Sequence, residues 1–168
     1  GATADNAVVT INPSTITVSG SEADLAGLSS ISLGEIELGN IFSQDTFTFD
    51  IQLASGLENV SGETQATVTV EITGLTTRTL EVDNIQWINA PEGCTVELVS
   101  QVRQIQIRGS EEAVNAVIAS QISIVADLTD ATIGTQNVPA RVSLNGASDV
   151  GVVGDENYYR VVVNIARE

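Results

Sequence analysis

Carboxylates are by far the most abundant reactive side chains in this sequence. The 168 residues include 22 Asp and Glu, six Arg, no His and one cysteine, Cys94. A chain without histidine and with one isolated thiol cannot build a Ser–His or Cys–His catalytic pair or the usual zinc ligand sets. One cysteine also excludes an internal disulfide. We therefore predict no catalytic residue, no metal ligand and no cofactor.

Hard oxygen donors make Ca²⁺ the ligand that remains to be considered. Asp127 with Asp130, and Asp155 with Glu156, are neighbouring carboxylates, but neither pair reproduces the spacing of an EF-hand loop. Twenty-two acids always include some pair at the separation of a glycoside hydrolase, whereas six aromatic residues are few for a sugar-binding cleft. Weak, non-structural Ca²⁺ association is kept as a hypothesis. An enzyme or sugar-binding module ranks last among the functions considered.

Tyr158 and Tyr159 are the best candidates for a contact surface. Consecutive residues of a strand face opposite ways, so one ring of the pair is expected to be exposed beside the turn at 154–157. A tyrosine that flanks a turn with its hydroxyl in water explains the pair equally well. Trp87, Phe47 and Phe49 are in phase with apolar positions of their strands, which predicts that they pack in the core rather than bind a ligand.

The charge balance excludes two classes of partner. Residues 1–72 carry ten acidic and no basic side chains, and residues 73–168 carry twelve acidic side chains and six Arg, for a net charge of −16. Such a surface repels nucleic-acid phosphates and anionic membrane faces. We therefore predict no nucleic-acid partner and no direct membrane docking, and an acidic coat that keeps an extracellular or cell-wall protein in solution.

Short runs of alternating β-branched residues, separated by turn residues, predict an all-β fold. The hydrophobic fraction is 42% and the charged fraction 17%, which is enough apolar surface for a core. Two of the strands end in the same way, at "SGSEADLAGL" (19–28) and "RGSEEAVNAVI" (108–118). In each stretch a glycine ends the strand, Ser21 or Ser110 is placed as a helix N-cap, and apolar residues follow at helical spacing. Each stretch predicts one short helix that covers an open barrel end or sheet edge.

The similarity extends over five elements in the same order, with an offset that grows from 89 to 93 residues between strands. This pattern predicts a duplication, with one repeat at 1–72 and a second at 73–168. Each is expected to be a small barrel or twisted sheet with one short helix. The strand at 77–88, with a bulge or bend at Asp83–Asn84, has no counterpart in the first repeat. We therefore expect the first repeat to lack its N-terminal strand, so that an edge is exposed or filled by a neighbouring molecule.

Several short motifs resemble those of the YbbR-like domain family. In the second repeat they are "NAPEG" (89–93), "IQIRGSEEAV" (105–114), "ADLTDATIGTQNVPARV" (126–142) and "RVVVNI" (160–165). The first repeat retains "INPSTITVSGSE" (11–22). The resemblance covers most of the chain, although each motif is short. It implies an all-β fold and brings no catalytic residue with it.

The resemblance also implies a cellular role. Such repeats occur in bacterial envelope proteins, among them CdaR-type regulators, which have an N-terminal membrane helix and control a membrane diadenylate cyclase that makes cyclic di-AMP. The sequence opens on Gly-Ala without a Met, so we expect a piece of a longer, membrane-anchored protein. The expected function is a non-enzymatic interaction or regulatory module with a protein partner, on the outer side of the membrane of a Gram-positive-type bacterium. The alternative is a structural spacer, stalk or adhesive repeat.

Overall fold

The computed structural model of the protein describes residues 1–155 and 157–168. Strands make up most of the ordered elements, which confirms the prediction of an all-β fold. None of the helices in the described part of the chain has the length and apolarity needed to cross a bilayer. The strands are β1 (Ala7–Asn12), β2 (Val18–Gly20), β3 (Gln44–Asp50), β4 (Leu57–Asn59), β5 (Gln65–Ile72), β6 (Thr76–Val82), β7 (Ile85–Ile88), β8 (Cys94–Leu98), β9 (Arg103–Gly109), β10 (Ile122–Asp127), β11 (Gly134–Leu144), β12 (Val150–Val152) and β13 (Arg160–Arg167). The helices are α1 (Glu22–Ala26) and α2 (Glu111–Ala116), with 3₁₀ turns at Ala4–Asn6, Leu38–Asn40 and Ala119–Gln121.

The chain divides into two compact units. The N-terminal unit is Ala7–Thr73, and the C-terminal unit is Gly74–Glu168 together with Gly1–Asn6. The first six residues thus belong with the second half of the chain. There the Gly1 ammonium donates a hydrogen bond to the carbonyl of Asp149 at 3.1 Å.

The C-terminal unit consists of two sheets around one core. One sheet has the strand order β7-β10-β11-β13-β8 and the other β12-β9-β6. All pairs are antiparallel except β7 with β10. In β10 and β13 every second side chain is buried, as the period of a half-buried strand requires. The fully enclosed side chains of this core include Val82, Ile105, Ile107, Val114, Ile122, Ile124, Leu128, Val161 and Val163.

The predicted long strand at 77–88 is two strands that belong to different sheets. β6 ends at Val82 and pairs with β9, whereas β7 begins at Ile85 and pairs with β10. Between them the Ile85 N–H donates to the Asp83 carbonyl at 2.8 Å, and the Asn84 side chain donates to the carbonyl of Ile122 at 3.3 Å. The bend expected at Asp83–Asn84 is therefore the corner where the chain passes from one sheet to the other.

The N-terminal unit has fewer strands. Its sheets have the orders β1-β5-β3 and β2-β4. Ile41, Val68 and Val70 form the centre of its core, and Phe47 and Phe49 pack against them as predicted.

Both short helices begin at the predicted serine caps. The Ser21 hydroxyl accepts a hydrogen bond from the Asp24 N–H at 3.2 Å, and the Ser110 hydroxyl accepts one from the Ala113 N–H at 3.3 Å. Each cap satisfies a backbone donor that the first helical turn leaves without a partner. α2 then places Val114 in the core with no exposed surface.

The prediction that Trp87 packs in the core is wrong. Its side chain is 41% exposed, while Ile85, two residues earlier and on the same face by alternation, is buried. β7 is the edge strand of its sheet. Towards the end of an edge strand the core no longer covers that face, so strand alternation no longer implies burial.

We predict that Ile105→Ala destabilises the C-terminal unit by about 2–5 kcal/mol, because it removes methylene groups from a site with no exposed surface. Denaturant unfolding followed by the fluorescence of Trp87, the one tryptophan of the chain, measures the change in this unit. Ile133→Ala is the control, because Ile133 is 57% exposed and its truncation is expected to change stability by less than about 0.5 kcal/mol. Equal effects of the two substitutions would contradict the described core.

Candidate functional site

The two tyrosines lie in the turn that precedes β13, with one ring inside and one outside. Tyr159 is 7% exposed and Tyr158 is 57% exposed. Their ring centroids are 4.9 Å apart and the ring planes meet at 89°, an edge-to-face contact that stabilises aromatic pairs. The buried ring thus supports the exposed one.

The Tyr159 hydroxyl joins three segments of the C-terminal unit. It donates to the Val153 carbonyl at 2.6 Å and accepts from the Gln106 N–H at 3.2 Å. Burial raises the pKa of this phenol above its ordinary value of 10.0, so the hydroxyl stays protonated and can donate at any physiological pH. Tyr159 is therefore a structural anchor rather than a group available to a ligand.

The turn also fixes the position of Tyr158. The Tyr158 ring packs closely against Gly154, which has φ of 109°. A Cβ at position 154 would lie 2.9 Å from Cδ1 of that ring. The Tyr158 N–H donates to the carbonyl of Asp155 at 3.1 Å. An exposed aromatic ring held on such a support can contact a partner with little loss of side-chain entropy. The role of this pair as a contact surface stays a prediction.

A polar cluster connects two of the motifs that carry the family resemblance. Asn89 of "NAPEG" has a positive φ of 57°, and its amide donates to Asp127 Oδ1 at 2.9 Å and to Thr129 Oγ1 at 3.0 Å. The Thr129 hydroxyl and N–H donate to the same Asp127 oxygen at 2.6 and 3.0 Å. The pKa of Asp127 lies below its ordinary value of 3.8. The hydrogen bond from the Thr129 hydroxyl lowers this pKa most, followed by those from the Asn89 amide and the Thr129 N–H. The cluster joins the end of β7 to the end of β10 and has no evident chemical role.

The acidic pairs do not form a metal centre in the described part of the chain. Among those residues no three His, Cys, Asp or Glu side chains come close enough to hold an ion. The same Asp127 oxygen already accepts three hydrogen bonds, and an oxygen of Asp155 accepts one from the Asn157 N–H at 2.9 Å. Glu156, the other member of the second pair, lies outside the described residues. Weak Ca²⁺ association stays a hypothesis.

The N-terminal unit contains an open groove. The sequence predicted only an exposed strand edge in this part of the chain. It has a volume of about 490 Å³. Ile16 and Val18 line it from the strand side, and Leu25 and Leu28 line it from α1 and the residues after it. All four side chains are half-buried rather than enclosed. Alternation and helical spacing predicted that these side chains share a face, but not that the face lacks a cover.

Comparisons with known proteins find solved structures that are similar to about half of the chain. No family model matches the sequence, and no curated protein matches it. A solved structure of a YbbR-like domain from Listeria monocytogenes is similar with a TM-score of 0.42 and 21% identity, over 55% of this chain and 95% of its own. A YbbR-like protein from Streptococcus pneumoniae is similar with a TM-score of 0.43 and 18% identity, over 56% of this chain and 48% of its own. Both of these neighbours are YbbR-like proteins.

We predict that Tyr159→Phe destabilises the C-terminal unit by about 1–3 kcal/mol, because the Val153 carbonyl and the Gln106 N–H lose a buried partner. Tyr158→Phe is the matched control and is expected to leave the free energy of unfolding almost unchanged, since Tyr158 is exposed. Denaturant unfolding monitored by Trp87 fluorescence compares the two variants. A larger effect at Tyr158 would reverse the roles assigned here.

We predict that Asp127 titrates in the folded protein with a midpoint below 3.8. Because this pKa is lower when folded than when unfolded, the hydrogen bonds of Asp127 stabilise the fold above about pH 4. That contribution is lost as the pH falls through the folded pKa. Carboxyl ¹³C NMR measures the midpoint, and Asn89→Ala is expected to raise it, since one donor is removed. An unchanged midpoint in Asn89→Ala would show that the amide does not stabilise the carboxylate.

Proposed function

We propose that this chain is a non-enzymatic, extracytoplasmic interaction module of a membrane-anchored bacterial envelope protein. The proposal is supported by the YbbR-like motifs and by the strong acidic charge, which suits a domain exposed outside the cell. The anchor would belong to a segment other than the one described. The module acts by binding a protein partner.

The observation that carries the proposal is the exposure of the Tyr158 ring on a buried tyrosine. Its ring is 57% exposed, rests edge-to-face on a buried tyrosine and is backed by Gly154. Tyrosine is among the residues that contribute most to binding at protein interfaces, because a large ring is desolvated while few torsions are frozen. A ring that already packs against a neighbouring ring is expected to lose less freedom on binding. Tyr158 is therefore the expected centre of the interface.

The partner that the family resemblance favours is a membrane enzyme, with a diadenylate cyclase as the specific candidate. A domain outside the membrane can bias such an enzyme only if it binds one conformational state of the enzyme better than another. Binding through a fixed aromatic anchor provides a contact that can differ between states. Cyclic di-AMP output would then depend on that contact.

The acidic coat favours a second candidate, a spacer or stalk that holds other parts of the protein away from the membrane. A net charge of −16 opposes self-association and keeps the protein in solution without any partner. In that case no single surface residue would be critical.

We predict that Tyr158→Ala in the full-length, membrane-anchored protein lowers its affinity for the membrane diadenylate cyclase by about thirtyfold, corresponding to about 2 kcal/mol for an interfacial aromatic anchor. Co-purification from detergent-solubilised membranes and cellular cyclic di-AMP measure binding and regulation. Ile118→Ala, at a side chain that is 60% exposed, is the control and is expected to behave like the wild type. Recovery of the wild-type protein without the cyclase would favour the spacer, and equal recovery with both variants would contradict the role of Tyr158.

A further inference from the structure

The loop between β11 and β12 contains a dipeptide that can react with itself. Asn145 and Gly146 follow the last residue of β11, and both are exposed. In an Asn-Gly pair the backbone nitrogen of the glycine can reach the side-chain carbonyl carbon of the asparagine, because glycine has no Cβ to obstruct the approach. Asn145 is the one asparagine in the sequence that precedes a glycine.

Both reacting groups are available in the folded protein. Within the part of the chain that the structure describes, neither the Asn145 side-chain amide nor the Gly146 N–H makes a hydrogen bond. Gly146 has φ of 80°, a conformation that residues with a Cβ rarely adopt. Asn89 gives the opposite case, since its amide donates to Asp127 and Thr129. Reaction is therefore expected at Asn145 and not at Asn89.

Gln121 restrains the peptide plane that joins the two residues. Its side-chain nitrogen donates to the Asn145 carbonyl at 3.3 Å and lies 3.4 Å from the position of a Cβ on Gly146. Its side-chain oxygen accepts from the Ile118 N–H at 2.9 Å, which fixes the orientation of the amide. The Asn145 carbonyl and the Gly146 nitrogen belong to one rigid plane. The hydrogen bond from Gln121 therefore holds both of them.

Ring closure between the two residues requires that this plane rotate. The five-membered ring forms only at a ψ angle of the asparagine outside the α and β regions, and steric clashes make such angles rare. Rotation moves the carbonyl oxygen together with the nitrogen, so it breaks the side-chain hydrogen bond from Gln121. The backbone bond from the Asn145 N–H to the Gln121 carbonyl, at 2.9 Å, lies on the other side of the Asn145 Cα and can persist. One side-chain hydrogen bond thus controls access to the reactive conformation.

We propose that Asn145 is a site of spontaneous deamidation and that Gln121 controls its rate. The Gly146 nitrogen bonds to Asn145 Cγ, the C–N bond of the side-chain amide breaks, and ammonia leaves with the proton that the Gly146 nitrogen loses. Water then opens the resulting succinimide at one of its two carbonyls. The product is an aspartate at position 145 or an isoaspartate, in which the main chain continues through the side chain. Water is consumed and ammonia released, nothing is oxidised or reduced, and the inference does not depend on the proposed function.

The isoaspartate product adds a methylene group to the backbone of a loop that is held at both ends. Leu144 is paired in β11, and Val150 of β12 pairs with Gly109. The carbonyl oxygen of Asp149 comes so close to Gly109 that a Cβ there would lie 2.5 Å from it. A longer backbone displaces one end of the loop, and we expect β12 to move because it is a short edge strand. Faster hydrogen exchange of the Val152 amide in the isolated isoaspartate form measures this effect, and unchanged exchange would contradict it.

Peptide mapping by mass spectrometry tests the site on the full chain aged at mildly alkaline pH, where more of the amide nitrogen is deprotonated. We expect the peptide that contains Asn145 to gain the mass of an amide-to-acid exchange and to separate into aspartate and isoaspartate forms. The peptide that contains Asn89 is expected to stay unchanged. Asn145→Gln is the matched control and loses the product, because its longer side chain would have to close a six-membered ring. No conversion at Asn145, or equal conversion at Asn89, would overturn the assignment.

The rate of the same conversion tests the role of Gln121. Gln121→Ala is expected to raise the rate in the folded protein by about two- to tenfold, the factor that corresponds to one net hydrogen bond. Gln65→Ala removes an amide that donates to Asp50 in the other unit and is expected to leave the rate unchanged. The wild-type chain unfolded in urea gives the rate without any restraint, which is expected to exceed that of the folded chain. Equal rates in Gln121→Ala and the wild type, or in the folded and unfolded chains, would overturn the control by Gln121.

Discussion

The structure depends on covering apolar sheet faces and strand edges at the same time. In the C-terminal unit one segment, Thr76–Ile88, meets both needs because it changes sheets at Asp83–Asn84. Its first half seals Ile105 and Ile107 and holds the end of α2 through Arg78, and its second half gives β10 a second neighbour. Apolar side chains and backbone groups are satisfied by the same residues, since a strand presents side chains to a face and amides to an edge. Where such a segment is absent, as in Ala7–Thr73, a groove and an irregular segment occur together.

Local features were predictable from the sequence because local physics determines them. Alternating residues identify the buried faces of β5, β10 and β13 without knowledge of the partner strand. The serine caps depend on a hydroxyl and an N–H three residues apart, and both formed as expected at Ser21 and Ser110. Phe47 and Phe49 were placed correctly, because β3 pairs with β5 and the segment that contains Leu33, Ile36 and Leu38 packs against the same core.

Features that depend on distant neighbours were not predictable from the same patterns. Trp87 has the phase of a core residue but lies on an edge strand, and sequence periodicity carries no information about which strand is at the edge. The run from Thr76 to Ile88 reads as one bent strand, because a corner between sheets and a bulge both shift the phase by one residue. The Asn89–Asp127–Thr129 cluster joins residues 38 and 40 positions apart, and no local signal pairs them.

The motifs that carry the family resemblance therefore report on architecture more than on partners. The side chains of Asn89, Asp127 and Thr129 hydrogen-bond with one another. Gly109 is required because a Cβ there would lie 2.5 Å from the carbonyl oxygen of Asp149. Residues fixed by packing and hydrogen bonding are the ones that the fold requires, even where their side chains are exposed, as they are at Asn89, Asp127 and Thr129. The proposed contact surface involves a position that the fold does not require. Tyr158 is such a position, because its side chain is exposed while the neighbouring Tyr159 carries the buried hydrogen bonds.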